Sequence, residues 1–398
     1  MVHCVFIGKM IVDRTYVSLK DFGGVFIMLN ANNQQDRTYL FRHMKVFPDY
    51  IQDYFKSKLH SLSPSTLRGY AIDFEDFFEW IIEEGVGEAS EIKNVHLSTL
   101  ENLKAAQIQK DFIHYLNLRD YKGGRKVKGK KLNQRTLNRK ISALRALFYW
   151  LSSVAKNKDL EPLLKHNPME YVDLKQEKYN PLDVAGKIRS SILMGKEFYE
   201  FYEFVLEGYG ELPNIKKMSK RKHVETRERD LAIVSLILEV GLRASEVQNI
   251  TMDDIVLENK RIKVSRKGGK SIVLDLTKQA SGALESYLNI RNERFGPKSD
   301  QTSLFLTNQQ APGQTMTKRA IQNMIEKYAE AFGKPLLTAH SMRHSFATRH
   351  YAKHEDIDTL KEIMGHSETE TTMVYTHVLT NRVKVSTQGS PDSPNNSL

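Results

Sequence analysis

The chain has 398 residues, 59 of them Lys or Arg against 48 Asp or Glu, for a formal charge of +11. Its 40% hydrophobic and 27% charged content is that of an ordinary globular chain with room for two domains. The single cysteine, Cys4, excludes an internal disulfide framework and a cysteine-based zinc site. No apolar run approaches the ~18 residues of a membrane span and no export signal is read, so a cytoplasmic protein is expected. The basic excess points to a polyanionic partner, nucleic acid first; the alternative is a basic protein without one.

Residues 1–45 differ from the rest, with a β-like run Val25-Phe26-Ile27-Met28-Leu29 followed by a polar Asn/Gln stretch. They read as an extension, disordered or produced by an upstream start codon, with Met28 or Met44 as the alternative first residue. Residues 46–156 carry helical periodicity and read as a four-helix module. A short helix runs from about Ile51 to Leu59. Ser63-Pro64-Ser65 then starts a helix bearing Leu67, Tyr70, Phe74, Phe77, Phe78, Ile81 and Ile82, ended by Gly85. Ser98 opens a third, with Leu100, Leu103, Ile108, Phe112, Ile113 and Leu116, and the fourth carries Leu137, Ile141, Leu144, Leu147, Phe148 and Leu151.

Between the last two helices, Tyr121-Lys-Gly-Gly-Arg-Lys-Val-Lys-Gly-Lys-Lys131 places positive charges in a glycine-rich loop with no acid. Such runs are often plain solvated surface. Here Asn133, Gln134, Arg135, Thr136, Asn138, Arg139 and Lys140 follow, so phosphate and groove contacts are the better reading. The expected DNA contacts are Arg125, Lys126, Lys128, Lys130, Lys131, Arg135 and Arg139. Residues 157–225, polar, lysine-rich and with Pro162, Pro168, Pro181 and Pro213, read as a linker with the helices leading into a second domain at 226–385. The Ser/Pro/Asn-rich stretch 386–398 reads as a disordered tail. No internal repeat is found.

In the second domain an apolar helix from Arg229 to Glu239 ends at Gly241, and Arg243-Ala-Ser-Glu246-Val begins another. An arginine in the tight turn between helices is held by backbone and suits a fixed phosphate clamp, with Glu246 placed to orient it or to cap the helix. Arg261–Ser265 and Ser271–Leu276 alternate around Lys267-Gly-Gly-Lys270, which predicts a hairpin with a two-residue turn and with Lys267 and Lys270 free to reach DNA. Gly269-Lys270-Ser271 resembles the end of a P-loop, but the required first glycine is replaced by Val264 and the context is a hairpin, so a nucleotide site is rejected. Thr338 caps a helix on which His340 and Arg343 share one face. His340 and His344 are also spaced as a metal pair, but no acid lies between them and no third ligand is evident. Gly365 ends a helix, His366 sits just past that end, and Tyr375 follows nine residues later.

Arg243, Lys267, His340-x-x-Arg343, Gly365-His366 and Tyr375 together resemble the active-site signature of the tyrosine recombinase (phage integrase) family. The resemblance spans about residues 45–380 and is greatest to Xer recombinases of the single-recombinase type of streptococci and lactococci, through Phe78-Glu-Trp80-Ile, Glu228-Arg-Asp-Leu-Ala232-Ile and Thr376-His377. It implies a mainly α protein: an N-terminal four-helix DNA-binding module and a mostly helical catalytic domain with a small antiparallel β-sheet, closing as a clamp on DNA. It also implies that Tyr375 attacks a DNA phosphate to give a 3′-phosphotyrosyl link and a free 5′-hydroxyl. Arg243 and Arg343 would hold the non-bridging oxygens and Lys267 would protonate the leaving oxygen. His340 would assist proton transfer at the tyrosine, and His366 would hydrogen-bond the phosphate.

No metal, ATP or other cofactor is implied. The implied partners are double-stranded DNA with an inverted-repeat site and three further copies in a synaptic tetramer, with room for a DNA translocase or accessory factor. The role is chromosome or plasmid dimer resolution, against integration of a mobile element or a non-catalytic DNA-binding function. In the family the segment after the tyrosine docks on a neighbouring protomer; here that segment is short.

Overall fold

The computed structural model describes residues 31–118, 132–174, 181–266, 270–308, 312–365, Tyr375 and Val378. The expected site residues Arg125, Lys126, Lys128, Lys130, Lys131, Lys267 and His366, and the stretch from 386, lie outside the described residues. Two compact units divide the chain, Met1–Glu177 and Lys178–Leu398. Among the described residues no helix is long and apolar enough to cross a membrane.

The first unit is helical, and its longest helix, Pro64–Glu83, begins as its sequence dictates. Proline occupies the first helical position, where no N–H is needed, and the Ser63 hydroxyl accepts from the Thr66 N–H at 3.2 Å. Leu67, Phe74, Phe77, Phe78 and Ile81 are buried along it, each large side chain stabilising the fold by roughly 1.5–3 kcal/mol. Helix Gln134–Tyr149 packs against it, started by Asn133, whose side chain accepts from Thr136 N–H at 2.8 Å.

Three features depart from the sequence expectation. Residues 31–44 are not part of a loose extension. They form the helix Ala31–Met44, which lays Leu40 and Met44 into the core against Pro64–Glu83. Second, the helix expected from Ser98 is broken: Leu97–Glu101 ends, and a new helical run starts at Ala105. Third, Leu164, Met169 and Val172 are fully buried in the same core, so the unit continues past the expected boundary at 156.

The second unit is organised around helix Lys217–Glu239, which crosses the boundary expected at 225 and whose last third, Ala232–Glu239, is buried on every face. Helices Lys278–Phe295 and Ala339–His354 pack on it. Beside them lies an antiparallel sheet of order β1 (Ile255–Val256), β2 (Arg261–Ser265), β3 (Ser271–Asp275). Ile262 and Val264 of β2 face the core, as the alternation requires. The register pairs Ser265 with Ser271, and Arg266 N–H donates to the Lys270 carbonyl at 2.7 Å. That pairing leaves three residues, 267–269, between the arms rather than the expected two. β1 was missed because two residues carry no readable period.

Candidate active site

The second unit places its chemistry at the joint between helix Lys217–Glu239, the following short helix Ala244–Asn249, helix Ala339–His354 and the end of helix Ile357–Met364. Gly241 makes the first joint. Its φ is +75°, and a Cβ there would lie 2.5 Å from the Phe346 ring. The chain can therefore turn tightly and bring Arg243 to the head of Ala244–Asn249. Arg243 is fixed from both ends by Glu246, which accepts its backbone N–H at 2.8 Å and its guanidinium at 2.8 Å. The carboxylate anticipated as an orienting or a capping group does both.

Arg343, buried on the inner face of Ala339–His354, donates to the carbonyls of Gly241 and Met364 and lies 3.7 Å from Glu246. Burial, with the nearby positive charge of Arg243, pushes its guanidinium down to about 10, so it stays cationic at neutral pH. Arg243 also donates to the Gly365 carbonyl at 3.3 Å, and Arg266 donates to Glu362 O at 2.6 Å and to Ile363 O. Three arginines thus occupy four successive carbonyls at the C-terminus of Ile357–Met364. Of these, Glu362 O also accepts the Gly365 N–H at 3.0 Å, and the negative end of the helix dipole favours cations at all four. Gly365, at φ +57°, closes this end; a Cβ there would sit 2.4 Å from the Arg266 guanidinium.

A cleft of about 230 Å³ opens between Arg243, Ala244, Ser245, Lys318, Gln322, Ala339, His340 and Arg343. Partial burial of the His340 ring, together with Arg343 and Arg243, lowers its pKa, which keeps the imidazole neutral. Tyr375 is buried at 1% exposure and packs with Phe346, Ala347, Leu360 and Met364. Burial raises its phenol above the ordinary value, while Arg343 and Arg243 act in the opposite sense. Its hydroxyl lies 2.7 Å from Nδ1 of His344. The spacing that looked like a metal pair instead puts His340 edge-on to His344, ring centroids 4.4 Å apart, with His344 engaged by Tyr375. Beyond the tyrosine, Val378 is buried with Ala185 and Ile192 of the same chain.

Residues 211–382 match the phage integrase family. Tyrosine recombinase XerS of Streptococcus pyogenes serotype M6 is 35% identical over 341 residues, covering 85% of this chain and 94% of that protein. The chain belongs to the tyrosine recombinase family. XerS of Streptococcus thermophilus strain CNRZ 1066 is 32% identical over 343 residues, covering 86% of the chain and 95% of the relative. In fold, this tyrosine recombinase is similar to XerH site-specific recombinase bound to palindromic difH substrate, with TM-score 0.55, 19% identity and coverage of 91% and 98%. It is also similar to the Tn1549 transposon integrase in complex with circular intermediate DNA, with TM-score 0.52, 20% identity and coverage of 84% and 99%.

Of the expected site residues, Arg243, His340, Arg343 and Tyr375 lie together in this recombinase's second unit. Arg135 and Lys270 are exposed, the first in the other unit and the second at the base of the hairpin. Arg139, expected as a DNA contact, is exposed and also holds an ion pair. It forks onto Asp73, which is fully buried and also accepts from buried Lys140 at 2.9 Å, because a buried carboxylate must be compensated. Sequence reasoning passed over Lys318 and Gln322, whose signal was a capped helix start at Thr317, and Arg266, a third arginine directly before Lys267.

Proposed function

We propose that this tyrosine recombinase cuts and rejoins double-stranded DNA at an inverted-repeat site through a 3′-phosphotyrosyl intermediate on Tyr375. The observation that carries this reading is the convergence of Arg243 and Arg343 on one cleft beside the cluster that holds Tyr375. A phosphate in that cleft meets two fixed guanidiniums, which stabilise the extra negative charge of the five-coordinate transition state. His340, kept neutral, borders the same cleft and offers the phosphate a hydrogen bond.

Lys267, carried by the β2–β3 hairpin, is assigned the proton for the leaving 5′-oxygen, and His366 a contact to the phosphate, both by the family signature. Arg135, Lys270 and the basic loop with Arg125, Lys126, Lys128, Lys130 and Lys131 hold the flanking backbone. The phosphotyrosine conserves the phosphodiester energy, so the chemistry calls for neither ATP nor a metal. The XerS relatives, which align over nearly their whole length, favour a chromosome or plasmid dimer resolvase acting in the cytoplasm as a tetramer on two duplexes.

The test is incubation of the full chain with a nicked duplex selected from a randomised pool by adduct formation, followed by denaturing electrophoresis. An adduct that survives detergent and chelator, and is absent in Tyr375→Phe, is the expected result. An adduct that persists in that variant overturns the nucleophile assignment.

A further inference from the structure

The side chain that meets the reacting oxygen is His344, not His340. Its Nδ1 lies 2.7 Å from the Tyr375 hydroxyl, within the range for proton transfer. His344 follows Arg343 on helix Ala339–His354, so the phosphate clamp and the partner of the nucleophile are fixed by adjacent residues of one rigid element. His340 stacks edge-on against the His344 ring and borders the cleft on the other side. Tyr375 is also 1% exposed, among Phe346, Leu360 and Met364, where water is poorly placed to take its proton. A phenol desolvated in this way needs an acceptor already in contact with it.

We propose that His344 is a catalytic residue of this recombinase: the acceptor of the Tyr375 proton in strand cleavage and its donor in rejoining. In the Nε2–H tautomer the phenol donates to Nδ1. As the tyrosyl O–P bond forms and the P–O5′ bond breaks, the phenolic proton passes to His344, and the departing 5′-oxygen takes a proton from Lys267. In rejoining the 5′-hydroxyl attacks phosphorus and gives its proton back to Lys267, the tyrosyl O–P bond breaks, and the His344 imidazolium returns its proton to the phenolate.

This inference rests on Tyr375 being the nucleophile, and the experiment separates the two. Full-length protein, His344→Asn and His344→Gln would be compared in single-turnover adduct formation on the selected nicked duplex. Each would carry either tyrosine or the more acidic 3,5-difluorotyrosine at position 375. DNA binding would be measured in parallel, and the Gln variant serves if the Asn variant fails to bind as a folded protein. With tyrosine the substitution is expected to slow adduct formation by about 100-fold or more, at unchanged DNA affinity. With difluorotyrosine most of that loss should disappear, because an acidic phenol has less need of an acceptor. Adduct formation at the wild-type rate, or an equal loss with both phenols, overturns the role of His344. Adduct in Tyr375→Phe overturns the nucleophile reading instead.

Discussion

Among the described residues Glu246 is the carboxylate set against both clamp arginines, and Glu246→Gln, which keeps shape and removes charge, isolates what it does. The side chain is 6% exposed and accepts from Arg243 twice at 2.8 Å, with Arg343 at 3.7 Å. A glutamine oxygen can keep one of the two Arg243 bonds. Losing a charge-assisted hydrogen bond costs about 1.5–3 kcal/mol. Leaving a buried charge without its partner costs about 3–5 kcal/mol when both groups are buried. Arg243 is 38% exposed, so water screens part of that cost. Arg343 is 1% exposed but keeps its contacts to Gly241 and Met364.

The expected destabilisation of the second unit by Glu246→Gln is therefore about 3 kcal/mol, or about 6–12 °C in its melting temperature. Trp80 and Trp150 both lie in the first unit, so tryptophan fluorescence is an internal control that should not move. Calorimetry, or hydrogen exchange of Ala244–Asn249, reads the second unit. Sulfate should stabilise the variant more than the wild type, since an anion in the cleft restores the missing negative charge. A melting shift below about 2 °C, or equal stabilisation by sulfate, would refute the view that Glu246 balances the paired guanidiniums.

Gly241→Ala is expected to destabilise the second unit by about 3 kcal/mol, combining about 1–2 for the left-handed backbone with about 1–3 for the collision with Phe346. Adding Phe346→Leu should recover the collision part in calorimetry, and strictly additive effects would show that the ring is not what constrains this turn. Acid sensitivity follows from His223, His340 and His350, whose pKa values burial lowers first, helped by Lys327, by Arg343 and by His354 respectively. Between the lowered value and the ordinary ~6.5, the unfolded chain binds more protons than the folded one, so stability falls as pH drops below about 6.5. Urea midpoints that stay level from pH 7.5 to 5.5 would contradict this.

Much of the site was legible because it depends on short-range geometry. Gly241 before Arg243 predicts a tight turn, Thr338 predicts a cap, and the spacing of His340 and Arg343 fixes a shared helix face. Backbone sterics and hydrogen bonds within a few residues decide such features, and they are written locally. The helix Ala31–Met44 was not legible, since an Asn/Gln-rich stretch has weak helical preference and is held by docking Leu40 and Met44 onto a helix formed later in the chain.

The sequence by itself determined the family signature, the basic character and the residue types able to hold and attack a phosphate. Only the tertiary structure decided who touches whom. Arg243, Arg266 and Arg343 meet the end of Ile357–Met364 from positions up to 122 residues away, and Tyr375 meets His344 rather than His340. Contacts at that separation are selected by the packing of whole helices, and no local pattern records them.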